Sequence, residues 1–442
     1  MATAAVKGRR LVCCFDGTGN EFGEINSNIV DFFHTLDKGK PDEQLVYYQA
    51  GVGTYTSPLV TTPIFGKLAK LADEAVAWYL DQHVKDGYTF LMQTYRPGDK
   101  ISLFGFSRGA YTARALAGML HKVGLLPPHN NEQLPFAYKL YKRADKKGWE
   151  LSEQFKKTFT AHNVEIDFVG VWDTVCSVGF IPYQLPFTSS NYMVKVFRQA
   201  LSLDEHRAKF LPNTWNTPTA RAAALGFQPR APGRPKGTSK DDWEFEPPST
   251  NITDVDEVWF SGCHADVGGG SDPLSIRLSR ISLAWMIKQC TLTQTGILFD
   301  PDALQELNID PINLTIRESN LPLPASKALE DNGKATDSGS NSIAQSAATN
   351  FGYAAAAISD QLIVRPLWWI LEVLPLSHSF YHEGQKKRYI SCNLGRGRYM
   401  YHAGGHALKI HNSVKERMGK IGGYKPNIDN FSEVEPHIIW VD

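Results

Sequence analysis

Ile101-Ser102-Leu103-Phe104-Gly105-Phe106-Ser107-Arg108-Gly109-Ala110-Tyr111 passes from an apolar, strand-like run through the pattern G-x-S-x-G into an alanine-rich helix. A serine between a strand and a helix, with glycine two residues to either side, has the sequence of a nucleophile elbow. The turn is too tight for side chains at the flanking positions, and it holds the serine in a strained backbone conformation. Small Ala110, Ala113 and Ala117 would let the helix lie close on a sheet. Its N-terminus would then turn amides and a partial positive charge toward Ser107.

The surrounding sequence alternates in the same way. Apolar, β-branched runs predict strands over 11–15, 44–49, 101–106, 164–172 and 257–261. Helical spacing predicts helices over 66–84, 87–95, 108–123 and 278–290, with Pro97-Gly98 as a stop after the second. Strands alternating with helices give an α/β class: an α/β-hydrolase-like, mostly parallel central sheet with helices on both faces and helical and loop insertions forming a cap. We expect one domain over 1–442. Within it, 174–254 is an insertion and the probable site of the cap, with helical material over 191–211. The polar stretches 229–249 and 325–349 hold too few large apolar residues to offset their ordering entropy, and both are expected to be loops, 325–349 a disordered one.

Composition narrows the function. The 442 residues carry 46 Lys+Arg against 46 Asp+Glu, with 42% apolar residues. A balanced charge offers no basic stripe for a phosphate backbone, so nucleic acid is not an expected partner. The six cysteines, at 13, 14, 176, 263, 290 and 392, form no C-x-x-C pair and are read as structural thiols. The N-terminus lacks the apolar core of a secretory signal, which predicts a cytoplasmic chain. The most apolar stretch, 362–376, includes Arg365, Pro366, Glu372 and Pro375 and is not a spanning helix. Peripheral membrane contact stays open. With Trp368-Trp369, that stretch suits an apolar lip or lid over a site as well as it suits core packing.

A serine needs a base, and the base needs an acid to orient it. Val169-Gly170-Val171-Trp172-Asp173 ends a strand in Asp173, the candidate acid. Val258-Trp259-Phe260-Ser261-Gly262-Cys263-His264 ends another in His264, the candidate base. The order Ser, Asp, His is that of α/β-hydrolases. His411 is a rival base. Asp266 is a rival acid, although a residue two positions along a loop points away from its neighbour's ring and is expected to brace the loop instead. The oxyanion hole is expected from the amide of Arg108 together with Gly17 or Thr18 in the loop after the first strand. Asp16 in that loop is a further site-lining candidate. His402 and His406 are spaced like a metal pair, but Gly404-Gly405 breaks the helix they would need, so no metal and no other cofactor is expected. Arg388, Arg396 and Arg398 are read as solvated surface, with contact to an anionic head group as the alternative.

Phe15-Asp16-Gly17-Thr18-Gly19-Asn20, Gly105 to Tyr111, Val171-Trp172-Asp173-Thr174-Val175 and Gly262 to Gly269 together resemble one α/β-hydrolase family. Long filed as a domain of unknown function and widespread in fungi, it is similar to the catalytic domain of type VI secretion phospholipase effectors. The resemblance also takes in Ala200-Leu201-Ser202-Leu203-Asp204-Glu205, Asn393-Leu394-Gly395-Arg396-Gly397 and His411-Asn412-Ser413-Val414. It implies Ser107 as nucleophile, Asp173 as acid and His264 as base. The expected activity is cleavage of a lipid or phospholipid acyl ester, or a small ester, through an acyl-enzyme. Two other readings are carried: a catalytically silent hydrolase fold used for binding, and a metal-dependent phosphoester hydrolase built on Asp16, Asp173 and Asp266.

Overall fold

The structure, a computed structural model, describes residues 8–17, 22–23, 25–51, 65–160, 164–175, 185–188, 191, 193–215, 253–270, 277–314, 352–382, 385–400 and 407–442. Its ten described strands are β1 (Arg10–Phe15), β2 (Gln44–Gln49), β3 (Lys100–Phe106), β4 (Ile166–Trp172), β5 (Val194–Ser202), β6 (Asp254–Phe260), β7 (Leu376–His382), β8 (Gln385–Ser391), β9 (Leu408–His411) and β10 (Ile438–Val441). Eight form one sheet in the order β10-β9-β6-β5-β4-β3-β1-β2. Every neighbouring pair in it runs parallel. β7 and β8 form a separate antiparallel hairpin.

A parallel sheet covered on both faces needs strands that are apolar throughout. In β1, Leu11, Cys13 and Phe15 enter one core while Val12 and Cys14 enter the other. Helices α2 (Phe65–Thr94) and α3 (Arg108–Val123) cover the first face. Helix α1 (Asn28–Thr35) and the helix Ser279–Leu292 cover the second. The chain leaves β1 for β2 on one side and returns to β3 on the other. That reversal opens a crevice at the carboxyl ends of β1 and β3, the place where open α/β sheets bind ligands.

The structure corrects the predicted secondary structure in two places. The 191–211 stretch is not helical: it holds β5, a central strand between β4 and β6. Arg198 and Gln199 disguise it, because two long polar side chains in a row look like a helix surface. Both are buried and satisfied, Arg198 by Gln289 and Asp254, Gln199 by Glu257 and the Asn213 carbonyl. The predicted helices 66–84 and 87–95 are one continuous helix, α2. Gly87 within it marks close packing, since a Cβ there would lie 2.7 Å from the Phe15 ring. The predicted loops 229–249 and 325–349, and residues Thr18, His402 and His406, lie outside the described residues.

Candidate active site

Ser107 follows β3 directly and begins α3, with φ 57° and ψ −118°. Its amide donates to the Trp172 carbonyl at 3.0 Å. The flanking glycines permit this turn: a Cβ on Gly105 would lie 2.4 Å from the Gly109 carbonyl oxygen, and one on Gly109 would lie 2.2 Å from that of Phe15. The serine hydroxyl makes no capping bond to its own helix and is left for another partner.

That partner is His264. Its Nε2 lies 2.8 Å from Ser107 Oγ, and its Nδ1 lies 2.6 Å from Asp173 Oδ2. The three residues leave the carboxyl ends of β3, β4 and β6. His264 opens a short helix, His264–Gly268, whose start is held by a bond from the Cys263 amide to Asp266 Oδ2 at 2.9 Å. The His264 amide is itself held by Glu205 Oε2 at 3.2 Å. The Phe106 and Phe210 rings stand 4.7 and 4.9 Å from the imidazole.

Asp173 is fully buried and also has a positive φ, 39°. Its carboxylate accepts from the Ser202 amide at 3.0 Å and from both terminal nitrogens of Arg398, at 2.6 and 2.8 Å. Arg398 also donates to the Ser202 and Phe210 carbonyls. This corrects the surface reading of Arg398, which is 2% exposed. A bidentate guanidinium is the side chain best matched to a buried carboxylate. Burial alone would raise the Asp173 pKa, but the charge of Arg398 and the hydrogen bonds from His264 and Arg398 outweigh it and keep the carboxyl well below the usual range. Burial pushes His264 below the ordinary imidazole value; the bond to Asp173 and the Asp173 and Glu205 charges oppose that shift, and Arg207 adds to it. The imidazole is therefore neutral at pH 7 and able to accept a proton.

Other expected site residues are placed separately. Asp16 accepts from Ser27 Oγ at 2.6 Å, from Tyr48 Oη at 2.9 Å and from the Gly17 amide at 2.7 Å. It ties the loop after β1, and the Gly17 amide is committed to it. Asp266 accepts from the Cys263 amide and also receives the Ser359 amide, each at 2.9 Å. His411 caps the helix Asn412–Lys420 through Ser413 and stacks on Phe260, with burial lowering its pKa to about 4. Asp16, Asp173 and Asp266 thus accept from separate sets of donors. Sequence reasoning placed Arg398 on the surface and gave Glu205 no role at the site. Glu205 holds Arg207 in a bidentate pair as well as the His264 amide. The adjacent acids Asp204-Glu205 after an apolar run were the available signal.

The family model described as the type VI secretion phospholipase effector Tle1-like catalytic domain matches residues 9–289, more than half of the chain. The uncharacterised protein YEL023C of Saccharomyces cerevisiae is 27% identical over 564 aligned positions, covering 96% of this chain and 81% of that protein. Among solved structures, an uncharacterised protein from Pseudomonas aeruginosa matches with TM-score 0.37 and 18% identity, over 70% of this chain and 49% of that one. The Tle1 effector bound to the VgrG spike of the type VI secretion system matches with TM-score 0.31 and 19% identity, over 61% of this chain and 52% of that one. The chain spans about half the length of these two structures. The family match over 9–289 assigns the protein: it belongs to the Tle1-like phospholipase effector catalytic domains, a family of lipid hydrolases.

Proposed function

We propose that the protein is a serine hydrolase that cleaves an acyl ester of a lipid through an acyl-Ser107 intermediate. The observation that carries the reading is the continuous relay in which one imidazole bonds Ser107 Oγ with one nitrogen and Asp173 with the other. His264 Nε2 takes the hydroxyl proton as Ser107 Oγ attacks the ester carbon, then gives it to the departing alkoxide. Asp173 fixes the tautomer, with Nδ1 protonated, and stabilises the imidazolium while it lasts. Water then attacks the acyl-serine, with His264 again as base.

Arg398 is the positioning residue for Asp173. Without it, the carboxylate could turn away from His264 inside the same pocket. The developing oxyanion is to be met by the Arg108 amide at the N-terminus of α3, aided by the helix dipole, and by a second amide from the loop after β1. Phe106 and Phe210 keep water from the imidazole and suit an acyl chain.

The test is covalent labelling with a fluorophosphonate, together with turnover of a panel of lipids and short p-nitrophenyl esters. Wild type is expected to label and to release fatty acid, and Ser107→Ala to do neither. Labelling that persists in Ser107→Ala would overturn the reading.

A further inference from the structure

The segment from Asp360 to Leu374 is built inside out. Glu372 is fully buried and faces the protein, where its carboxylate accepts from the Ala208 amide at 2.7 Å, Asn393 Nδ2 at 2.6 Å and the Gly395 amide at 3.1 Å. Asp360, at the other end, holds His206 Nε2 at 2.9 Å. Two acids thus tie the segment to the 206–208 loop that follows Glu205. Between them the apolar residues point outward: Ile363 is 76% exposed, Leu367 79% and Ile370 52%, joined by Val364 and Val373. Ile363 lies in the short helix Gln361–Val364, Leu367 in the 3-10 turn Pro366–Trp368 and Ile370 in the short helix Trp369–Val373, so three consecutive elements each expose an apolar side chain and together form a stripe along the segment. An ordinary amphipathic segment buries that stripe. Here the anchored carboxylate prevents it from turning in.

Single exposed apolar residues need no explanation, but a contiguous stripe marks a surface for a partner. Charge indicates which partner. Arg365 within the stripe and Arg396, next to the Gly395 that lies close to Trp369, are both exposed. The acids of the 361–400 stretch are Glu372, which is buried, and Glu383. The stripe also adjoins the active site. A cavity of about 450 Å³ opens at Arg365, Pro366, Leu367 and Trp368. The Trp368 ring lies 5.6 Å from that of Phe210, and Phe210 packs on His264.

We propose that the 363–373 stripe is a docking surface for an anionic phospholipid bilayer, which sets the cavity beside Trp368 against the acyl chains. Ile363, Leu367 and Ile370 enter the interface, and Arg365 and Arg396 meet the head-group phosphates. The proposal rests on the lipid-hydrolase reading for its purpose, but docking can be measured without catalysis.

The experiment is flotation of the 442-residue Ser107→Ala protein with vesicles of phosphatidylcholine alone and of phosphatidylcholine with phosphatidylserine. The protein is expected to float with the phosphatidylserine vesicles. Adding Ile363→Asp and Ile370→Asp should weaken partition about tenfold or more, since both side chains lose their place in the acyl boundary. Adding Arg365→Gln and Arg396→Gln instead should remove the preference for phosphatidylserine. In the otherwise wild-type chain, the Ile363→Asp/Ile370→Asp pair should keep full turnover of a soluble short-chain ester, which shows that the fold and the triad are intact. Absence of flotation, or equal flotation with and without the two aspartates, overturns the proposal. So does a dimer that the two aspartates dissolve, because the occupant would then be a second copy. Flotation without any soluble-ester turnover by the wild type would sink the hydrolase reading and leave docking standing. Turnover without flotation would do the reverse.

Discussion

The carboxylate of Asp173 and the apolar stripe of the 363–373 segment stand in opposite relations to water. Asp173 is a charge with no solvent, surrounded by His264, Ser202 and Arg398, and every contact to it is short and directional. The stripe is hydrocarbon with no cover, held outward by the inward anchor at Glu372. A buried charge costs several kcal/mol unless it is paired, so its partners must be fixed by the fold itself. Exposed hydrocarbon carries its driving force unspent and can be satisfied by something that arrives later. One region is finished on folding, and the other waits for contact.

Substitutions can break this contrast, and the largest effect is expected at the buried end. Asp173→Asn keeps the shape but offers His264 the wrong partner and leaves the buried Arg398 guanidinium without its counter-charge, so kcat on a soluble ester should fall on the order of 10⁴-fold and the melting temperature should fall as well. A loss of only a few-fold, measured in steady state, would remove Asp173 from the relay. Arg398→Ala leaves that carboxylate buried and without its counter-charge. Denaturant titration should show a loss of about 3–5 kcal/mol, with Arg398→Lys recovering part of it because the charge returns but the fork does not. Equal stability of Arg398→Ala and wild type would mean that the clamp is dispensable.

At the apolar segment the inner and outer faces should respond differently. Glu372→Ala strands the Ala208 and Gly395 amides and should cost about 1–3 kcal/mol by the same titration. Ile363→Asp and Ile370→Asp, on the outer face, should each stay within about 0.5 kcal/mol of wild type. A reversed ranking would show that the stripe contributes to the core.

The pH profile sharpens the account of the buried end. The base works when neutral, and burial lowers the His264 pKa. Activity should therefore persist as pH falls through the ordinary imidazole value of 6.5, and be lost only below it. An acid limb of kcat/KM at or above that value would contradict the burial of the ring.

Much of the buried end was legible in the sequence. The elbow at Ser107 announces itself because sterics force glycine at 105 and 109, and the strands that stop shortly before Asp173 and His264 announce themselves by their apolar runs. β5 was hidden, since Arg198 and Gln199 are satisfied by residues far along the chain, which no local pattern records. Arg398 was hidden for the same reason: its partner lies 225 residues away, and an arginine between glycine and tyrosine looks like surface. The tilt of 362–376 between lid and core could not be read either, because Ile363, Leu367 and Ile370 do not say from the sequence alone which way they point. Glu372, whose burial settles that direction, reads as an ordinary surface acid.

The clamp on Asp173 has one more consequence. The stretch that matches the family model, 9–289, holds the serine, the aspartate and the histidine, while Arg398 lies more than a hundred positions beyond its end. A truncated chain that keeps every reacting group would still lack the cation that neutralises one of them. The limits of a catalytic apparatus are thus drawn by electrostatic balance, and they need not coincide with the limits of a recognisable motif set.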